Sequence, residues 1–334
     1  MNFQKLKIAI TLGDPGGIGP EIVFNYLKNN VDTIKKLGFI PVVFGSSVLL
    51  ENEYLRKFIP EIKFKIIAAK ELAKIKELPI TDEIIFVDCY PLNHDFVTKK
   101  PDAISGLASF SYLESAMLAI EKGQVQALVT APICKESFTL AGLKYQDHTS
   151  YLKEKTQSSA VSMGFWTMNL KTVLVTIHKA LKDVPGLITK EALSIAINNT
   201  LKFAKLLKID QPKIALAGLN PHASENGLFG DEENKIIIPA LKKIGANIIG
   251  PLPADTVYFR AYQKEFDFVI SMYHDQALIP IKLLAFESAV NISLGLPFIR
   301  TSPDHGTAFD RAYECESSFH SFANAVELVL QCQD

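Results

Sequence analysis

The stretch Phe268-Val269-Ile270-Ser271-Met272-Tyr273-His274 decides the fold class, because a strongly apolar run ends directly on a histidine. Short apolar runs rich in β-branched residues are typical of strands buried on both faces of a parallel sheet. Two further runs end in a similar way, at His178 after residues 173–177 and at His222 shortly after residues 214–219. Since ligands of open α/β sheets bind at the carboxyl ends of the strands, the three histidines are predicted to converge there.

Strand-like runs alternate with helical patterns along the chain. One helix is predicted to begin at Ser105, which can cap it, and to end at Gly123; Thr189 is predicted to begin another. This alternation indicates βαβ units, so the predicted fold class is α/β with mainly parallel sheets. The predicted strands are residues 7–12, 40–44, 84–87, 127–130, 172–177, 213–219, 246–249 and 267–272.

Composition excludes several classes of protein. The 334 residues carry a net charge of −1, which gives no electrostatic case for binding nucleic acid or an anionic membrane surface. The apolar stretch 266–286 is interrupted by charged residues, so it is not a membrane span. The four cysteines form no C-x-x-C pair and we find no signal peptide, so we expect reduced thiols in a cytoplasmic protein.

The three histidines suit a metal centre. Three imidazoles bind zinc or another borderline transition metal and leave a position open for substrate. A single histidine after a strand is more often an ordinary loop residue, but three of the seven histidines in equivalent positions favour a metal. Asp275, next to His274, could orient that histidine, act as a base or only cap a helix.

The turn Gly13-Asp14-Pro15-Gly16-Gly17-Ile18-Gly19-Pro20-Glu21 lies between a predicted strand and a predicted helix. Its glycines, Gly13, Gly16, Gly17 and Gly19, would let the backbone approach a phosphate, which makes the turn a candidate cofactor site. The turn fits neither G-x-G-x-x-G nor a P-loop. A tight turn without a ligand explains the same residues equally well.

Several loop residues could hold an anionic substrate. Arg300 stands out because a dense polar loop, residues 301–307, follows it. Asp255, in the segment Pro251-Leu252-Pro253-Ala254-Asp255-Thr256, could be a catalytic carboxylate or a turn residue. The other candidates are His148, Thr149, Lys282 and Asn291.

Together these segments resemble the motifs of the 4-hydroxythreonine-4-phosphate dehydrogenase family of vitamin B6 biosynthesis. No single segment is specific, but their combination in the family's order over nearly the full length is. The matching segments are Gly13-Asp14-Pro15-x-Gly17-Ile18-Gly19-Pro20-Glu21, Thr130-Ala131-Pro132-x-x-Lys135, His148-Thr149, Asn220-Pro221-His222-Ala223, Gly250-Pro251-Leu252-Pro253-Ala254-Asp255-Thr256, Tyr273-His274-Asp275-Gln276 and Arg300-Thr301-Ser302-x-Asp304-His305-Gly306-Thr307.

The resemblance implies a two-domain α/β fold like that of isocitrate and isopropylmalate dehydrogenases. We expect residues 1–132 with about 300–334 to form the first domain, and about 133–299 to form the second. The family also implies a homodimer, with its active site between the domains and across the subunit interface. It uses NAD, or NADP, without a Rossmann fingerprint, which accounts for the failed G-x-G-x-x-G match.

The resemblance also implies a reaction and a role for individual residues. The expected reaction is oxidation of 4-phosphooxy-L-threonine at C3, followed by decarboxylation to 3-amino-2-oxopropyl phosphate, with Asp255 or Asp275 as the base. His178, His222 and His274 would hold one divalent metal ion, which would be zinc, cobalt or magnesium. The phosphorylated substrate would contact His148, Thr149, Lys282, Asn291 and Arg300.

Two departures from the family lie near the expected site. The segment Lys179-Ala180-Leu181 stands where the family often has Leu-Pro-Leu, and Ser150 stands where an acidic residue often follows His-Thr. An alternative function is therefore the dehydrogenation of another phosphorylated four-carbon hydroxy acid. A three-histidine zinc hydrolase and a non-enzymatic protein that binds a phosphorylated metabolite are less favoured, and NAD reduction distinguishes both from a dehydrogenase.

Overall fold

The computed structural model describes residues 6–78, 83–244 and 247–333. They form two compact units, the first within Met1–Thr156 and Phe298–Val329, the second within Gln157–Pro297 and Leu330–Asp334. The predicted α/β class with mainly parallel strands is confirmed. A compact unit is not by itself an independently folding domain, so the predicted domains, 1–132 with about 300–334 and about 133–299, stay a proposal.

Strands and helices alternate along the chain. The strands are β1 (Lys7–Thr11), β2 (Ile40–Gly45), β3 (Phe64–Ala68), β4 (Ile84–Asp88), β5 (Ala127–Thr130), β6 (Ser162–Trp166), β7 (Lys171–Leu174), β8 (Ile214–Ala217), β9 (Ile248–Leu252), β10 (Phe268–Ser271), β11 (Val290–Leu294) and β12 (Ile299–Pro303). The α-helices are α1 (Gly19–Asn29), α2 (Val31–Leu37), α3 (Ala103–Glu121), α4 (Lys135–Leu140), α5 (His148–Lys155), α6 (Val184–Leu187), α7 (Lys190–Leu206), α8 (Ile238–Ile244), α9 (Ala254–Tyr262), α10 (His274–Ala285) and α11 (His320–Gln333). Shorter helical segments are Ser47–Leu50, Leu55–Phe58, Ala69–Lys76, Leu181–Asp183, Pro221–Gly227 and the π-helical Glu233–Ile237.

The strands of the first unit pair in the order β3-β4-β2-β1-β5-β12, and each of these pairings is parallel. Every residue of β1, β5 and β12 is buried, which is why β1 and β5 lack the alternation of polar and apolar residues that a half-exposed strand shows. The prediction omitted β3 and β12. In β12 the buried Arg300, Thr301 and Ser302 interrupt the apolar pattern on which the prediction relied.

The strands of the second unit pair in the order β11-β6-β7-β10-β8-β9. Here β6 runs antiparallel to both β11 and β7, whereas β7, β10, β8 and β9 are parallel. The predicted strand 172–177 is too long, since β7 ends at Leu174; Val175 still donates its backbone N–H to Ser271 at 2.9 Å. The predicted strand 246–249 begins outside the described residues, and β9 covers Ile248–Leu252.

Helices α9 and α10 are fixed by the apolar core of the second unit. Val257 and Tyr258 of α9 pack in one cluster with Ala277 and Ile281 of α10, against strand residues such as Val269. The first turns of both helices therefore have fixed positions at the ends of β9 and β10. Asp255 is the second residue of α9, and His274 is the first residue of α10.

The cap of α3 differs from the prediction. Asp102 is the N-cap, and its side chain accepts hydrogen bonds from the backbone N–H groups of Ile104 and Ser105 at 2.8 and 3.2 Å. The carboxylate of Asp102 satisfies the free N–H groups, so the helix begins before Ser105. Ser105 lies inside the first turn, where it is buried. By length and composition α3 could cross a membrane, but half of it is buried, as in core helices.

The glycine-rich turn is packed closely against other backbone of the first unit. A Cβ atom on Gly13 would lie 2.2 Å from the carbonyl oxygen of Pro132, and one on Gly19 would lie 2.2 Å from that of Leu12. At Gly17 the nearest atom would be the carbonyl oxygen of Thr307, and Gly16 also faces backbone carbonyls. Close packing thus explains these glycines, and their role in cofactor binding stays a prediction.

The same turn carries Asp14, a carboxyl group with no exposed surface. Burial raises the pKa of Asp14 to about 6; hydrogen bonds from Ser137 and the N–H of Gly16 oppose the rise, and nearby Asp102 adds to it. Because the pKa of Asp14 is higher in the folded protein than in the unfolded chain, protonation of Asp14 stabilises the fold. This contribution to the free energy of unfolding is complete below about pH 4 and is lost as the pH rises through about 6.

We expect Asp14→Asn to remove this pH dependence. The difference in unfolding free energy between the variant and the unsubstituted protein should shift by about 3 kcal/mol in favour of the variant between about pH 4 and pH 7. Urea unfolding at both pH values measures the shift. A difference that is the same at both pH values would contradict the assignment.

Candidate active site

Two of the three predicted metal ligands lie together in the second unit. The imidazole rings of His178 and His274 have centroids 5.1 Å apart and planes inclined by 46°. Two imidazoles that bind one tetrahedral zinc ion at about 2.1 Å also place their ring centres roughly 5 Å apart. The pair therefore fits two neighbouring positions of a single metal ion.

Asp275 orients one of these rings. Its Oδ1 lies 2.7 Å from Nδ1 of His274, and the side chain of Asp275 is largely exposed. A carboxylate in this position holds the proton on Nδ1 and leaves Nε2 as the nitrogen with a free lone pair. Of the roles considered for Asp275, the contact favours orientation of the histidine over action as a free base.

His222 lies on a turn with an uncommon backbone. Residues 222–226 all have φ between 45° and 67°, in the left-handed region, although none of them is glycine. Such a conformation costs about 1 kcal/mol or more per residue, so other contacts must hold it. The His222 side chain is exposed, and its ring lies 6.2 Å from that of Phe229.

His222 does not join the other two histidines within the chain. Among residues 6–78, 83–244 and 247–333, no group of three histidine, cysteine, aspartate or glutamate side chains is arranged to hold a metal ion. The structure thus brings the rings of His178 and His274 together, and His222 lies on an exposed turn that lines a cavity with Tyr273, the residue before His274. One chain by itself presents two of the three predicted ligands at one point.

His222 and Asp255 line a cavity of about 530 Å³ in the second unit. Apolar side chains, including Leu181 and Val184, form part of its wall. Asp255 is exposed in the first turn of α9. Gln276 fixes the cavity rim, because it accepts from the N–H of Met272 at 2.6 Å and donates to the carbonyl of Gly218 at 2.8 Å.

Two predicted substrate ligands also belong to the second unit. Lys282 lies on α10, eight positions after His274, and its Nζ is 5.2 Å from the ring centre of Phe286. Asn291 is buried in β11. Lys282 is thus held by a core helix and Asn291 by a buried strand.

Of the remaining predicted substrate ligands, His148 and Arg300 form a buried cluster in the first unit, and Thr149, next to His148 in the chain, is half-buried. Arg300 has 4% of its surface exposed, and its Nη2 donates to Oγ1 of Thr130 at 2.7 Å. Burial lowers the pKa of Arg300 to about 10, and Asp147 opposes the shift. The guanidinium is therefore still cationic at neutral pH, as a phosphate-binding group must be.

His148 is the neutral member of that cluster. Burial lowers the pKa of His148 well below its usual value, and the nearby charge of Arg300 lowers it further. Its buried Nε2 has no hydrogen-bond partner among the described residues. Such an atom is a candidate contact for a bound ligand, since buried polar groups are normally paired.

Thr149 and Ser150 lie in the first turn of α5. Asp147 caps this helix by accepting from the N–H of Ser150 at 2.7 Å, and the Ser150 hydroxyl accepts from the N–H of Asp147 at 3.3 Å. Ser150 thus occupies the position at which a glutamate completes a capping box. Helix capping is the role that the structure gives to Ser150, where the family often has an acidic residue.

The candidate sets included neither Thr130, which orients Arg300, nor Glu233, which is buried beside the His222 turn. Thr130 belongs to the motif Thr130-Ala131-Pro132 and is the last residue of a predicted strand, and this position could have indicated a site residue. Glu233 had a weaker signal, as one of three consecutive acidic residues that usually form a solvated face.

Known proteins are similar to the chain over most of its length. The family described as "Pyridoxal phosphate biosynthetic protein PdxA" matches residues 39–329. A 4-hydroxythreonine-4-phosphate dehydrogenase from Sulfurihydrogenibium sp. is 41% identical over 97% of this chain and 98% of its own. A D-threonate 4-phosphate dehydrogenase from Pectobacterium atrosepticum is 38% identical over the same shares of the two chains.

Solved structures give the same result. A 4-hydroxythreonine-4-phosphate dehydrogenase from Klebsiella pneumoniae superposes with a TM-score of 0.85 at 35% sequence identity. The match covers 99% of this chain and 100% of that one. The similarity therefore extends over both units and includes every segment that carries a candidate site residue.

Proposed function

The chain belongs to the PdxA family of pyridoxal phosphate biosynthetic proteins, and from that premise we propose its substrate, cofactors and assembly. It is a dehydrogenase. The proposed reaction is the NAD-dependent oxidation of 4-phosphooxy-L-threonine at C3, followed by decarboxylation to 3-amino-2-oxopropyl phosphate. The observation that carries the proposal is the His178–His274 ring pair, oriented by Asp275. We also propose NAD, or NADP, as the hydride acceptor, and a cytoplasmic location.

We propose that His178, His222 and His274 hold one divalent metal ion. Nitrogen donors favour zinc or cobalt over magnesium, which prefers oxygen. When bound, the metal would supply Lewis-acid polarisation of the substrate hydroxyl and of the carbonyl that replaces it. The spacing of the His178 and His274 rings supports this proposal.

The third ligand would come from a second copy of the chain. Two histidines leave a zinc site one protein ligand short of the usual catalytic set. The exposed His222 turn could supply that ligand to the His178–His274 pair of a partner subunit. In a symmetric dimer the exchange would be mutual and would complete two identical sites.

Helix α10 offers a surface for that dimer. Ile279, Leu283 and Phe286 are spaced to share one side of the helix, and 68%, 84% and 69% of their respective surfaces are exposed. Exposed apolar patches of this kind mark interaction sites. The same helix begins at His274, so an interface along its apolar side would bring the partner's residues close to the metal ligands.

We propose that the substrate contacts the residues expected from the sequence. The cationic Arg300, beside a neutral His148 and with Thr149 in the same helix turn, supports binding of the phosphate. Lys282 and Asn291 are the other proposed substrate ligands. A firm hold on the remote phosphate would position C3 for hydride transfer.

Asp255 is the better candidate for the base. It lines the cavity with His222, whereas Asp275 is engaged by His274. Asp255 would take the proton of the C3 hydroxyl while the C3 hydrogen leaves as hydride to the nicotinamide. The resulting β-keto acid loses carbon dioxide. The electron pair of the broken C1–C2 bond then forms an enolate, which takes up a proton at C2.

D-threonate 4-phosphate is the second candidate substrate. A relative that carries this substrate in its name is almost as similar to the chain as the one named for 4-hydroxythreonine 4-phosphate. The two acids differ at C2, where an ammonium group replaces a hydroxyl. The phosphate and the reacting C3 hydroxyl are common to both, so the same site residues would serve either one.

Reduction of NAD by the two phosphorylated acids tests the function. We expect 4-phosphooxy-L-threonine to give the higher kcat/KM, by about tenfold if one polar contact at C2 distinguishes the two acids, because a factor of ten corresponds to about 1.4 kcal/mol. Carbon dioxide release measured in parallel should match NADH formation mole for mole. A reversed preference would assign the chain to the second candidate, and no NAD reduction with either acid would refute both.

A further inference from the structure

Glu233 is a buried carboxylate that holds the residues immediately before His222. Only 1% of its surface is exposed. Its Oε1 accepts hydrogen bonds from the backbone N–H groups of Leu219 and Asn220, both at 2.8 Å. Its Oε2 accepts from the side-chain amide of Asn220 at 2.9 Å. One carboxylate thus fixes two successive residues at the exit of β8.

Asn220 extends this contact to a second acidic residue. Its Nδ2 also donates to Oε2 of Glu232 at 2.7 Å, so both protons of the amide are used. The space around the network is full, since a Cβ atom on Gly218 would lie 2.9 Å from Cα of Ala223 and 3.3 Å from Oε1 of Glu233. The start of the turn therefore has little freedom to shift.

The turn that follows needs such an anchor. Residues 222–226 adopt the left-handed conformation without a glycine, and backbone hydrogen bonds within the turn, such as that from the N–H of Ala223 to the carbonyl of Asn220 at 3.1 Å, are local. Local bonds do not fix the direction in which the turn leaves the sheet. Glu233 acts from outside, at the first position of a π-helical segment, a rare element that is frequent at functional sites.

We propose that Glu233 is a positioning residue for His222. By fixing Leu219 and Asn220 it sets the direction in which the turn presents the imidazole, and it holds the turn in its left-handed conformation. The inference rests on the proposed role of His222 as a metal ligand and adds the residue that orients it. Residues that orient metal ligands commonly change metal affinity about 10- to 100-fold when they are replaced.

The test compares Glu233→Gln with Glu232→Gln and with Glu191→Gln, a change in the first turn of α7. The glutamine oxygen can still accept from the backbone, but its amide group would face the Asn220 amide, donor against donor. We expect Co²⁺ titrated into metal-free dimer to bind about 10- to 100-fold more weakly to Glu233→Gln. Glu232→Gln should have a smaller effect, and Glu191→Gln should match the unsubstituted protein.

Hydrogen exchange in peptides covering 218–227 gives a readout that does not need metal. Exchange there should rise in Glu233→Gln and remain unchanged elsewhere in the protein. A purely structural role would lower the unfolding midpoint but leave both the Co²⁺ affinity and the exchange of the folded protein unchanged, and that result overturns the proposal.

A failure of the proposed function has a different signature. If the unsubstituted dimer binds no Co²⁺ and reduces no NAD, the metal-dependent function fails. In that case raised exchange at 218–227 supports positioning of the turn by Glu233, and unchanged exchange overturns it. If Glu233→Gln does not fold, Glu233→Asp keeps the charge, withdraws the carboxylate by one methylene, and is judged by the same two measurements.

Discussion

Chains that carry His178→Ala and chains that carry His222→Ala are expected to regain activity when they are combined, although each variant alone is inactive. Loss of a metal ligand should lower kcat by about a thousandfold or more in either variant, because several kcal/mol of electrostatic stabilisation disappear. In a mixed dimer, one site combines an intact His178–His274 pair with an intact His222 from the partner. After refolding in equal amounts, about half of the dimers are mixed and about a quarter of full activity should return.

A matched pair of variants gives the control. His178 and His274 belong to the same half of the proposed site, so mixing His178→Ala with His274→Ala chains leaves both sites of the mixed dimer damaged. We expect no recovery from that mixture. Recovery in the control pair, or none in the test pair, would contradict the assignment of His222 to the partner subunit.

Arg300→Ala is expected to lower kcat/KM for the phosphorylated substrate by about a hundredfold or more. Truncation of one partner of a buried charge pair commonly costs 2–5 kcal/mol, and each 1.4 kcal/mol is a factor of about ten. Arg300 is buried and keeps its charge at neutral pH, so little solvent screening weakens its contact with a dianion. Steady-state kinetics with varied substrate measure the loss.

The unphosphorylated substrate separates a phosphate contact from a general defect. L-4-hydroxythreonine has no phosphate group for Arg300 to bind. With this substrate, Arg300→Ala should therefore change the low residual rate of the unsubstituted protein by less than about threefold. Thr130→Val removes the hydroxyl that accepts the hydrogen bond from Nη2 of Arg300. It should lower kcat/KM for the phosphorylated substrate less than Arg300→Ala does. Equal losses with both substrates would assign Arg300 a structural role.

The sequence predicted those parts of the fold that depend on local pattern. Fully buried strands such as β5 and β10 are recognisable from unbroken apolar runs, and the cap of α7 is recognisable from Thr189, whose hydroxyl accepts from the N–H of Ala192 at 3.1 Å. The start of α3 was predicted three residues too late, because Ser105 and Asp102 are both good caps and the carboxylate satisfies two N–H groups at once.

The candidate site was predictable as a set of residues but not as a geometry. The residues that follow His222 do not predict a left-handed turn, because alanine, serine and glutamate all disfavour that conformation. Only tertiary contacts, those of Glu233 among them, can stabilise it, and such contacts leave no periodic pattern. The antiparallel direction of β6 is likewise set by its partners β7 and β11 rather than by its own residues.

Helix α10 begins at His274 and exposes apolar side chains such as Leu283, so the proposed metal site and the proposed dimer interface share one helix. If assembly completes the metal site, then metal binding and dimerisation are thermodynamically linked, and each must strengthen the other by the same factor. Dilution would then release metal, and chelation would promote dissociation. The catalytic capacity of the protein would depend on its concentration in the cell as well as on the supply of the ion.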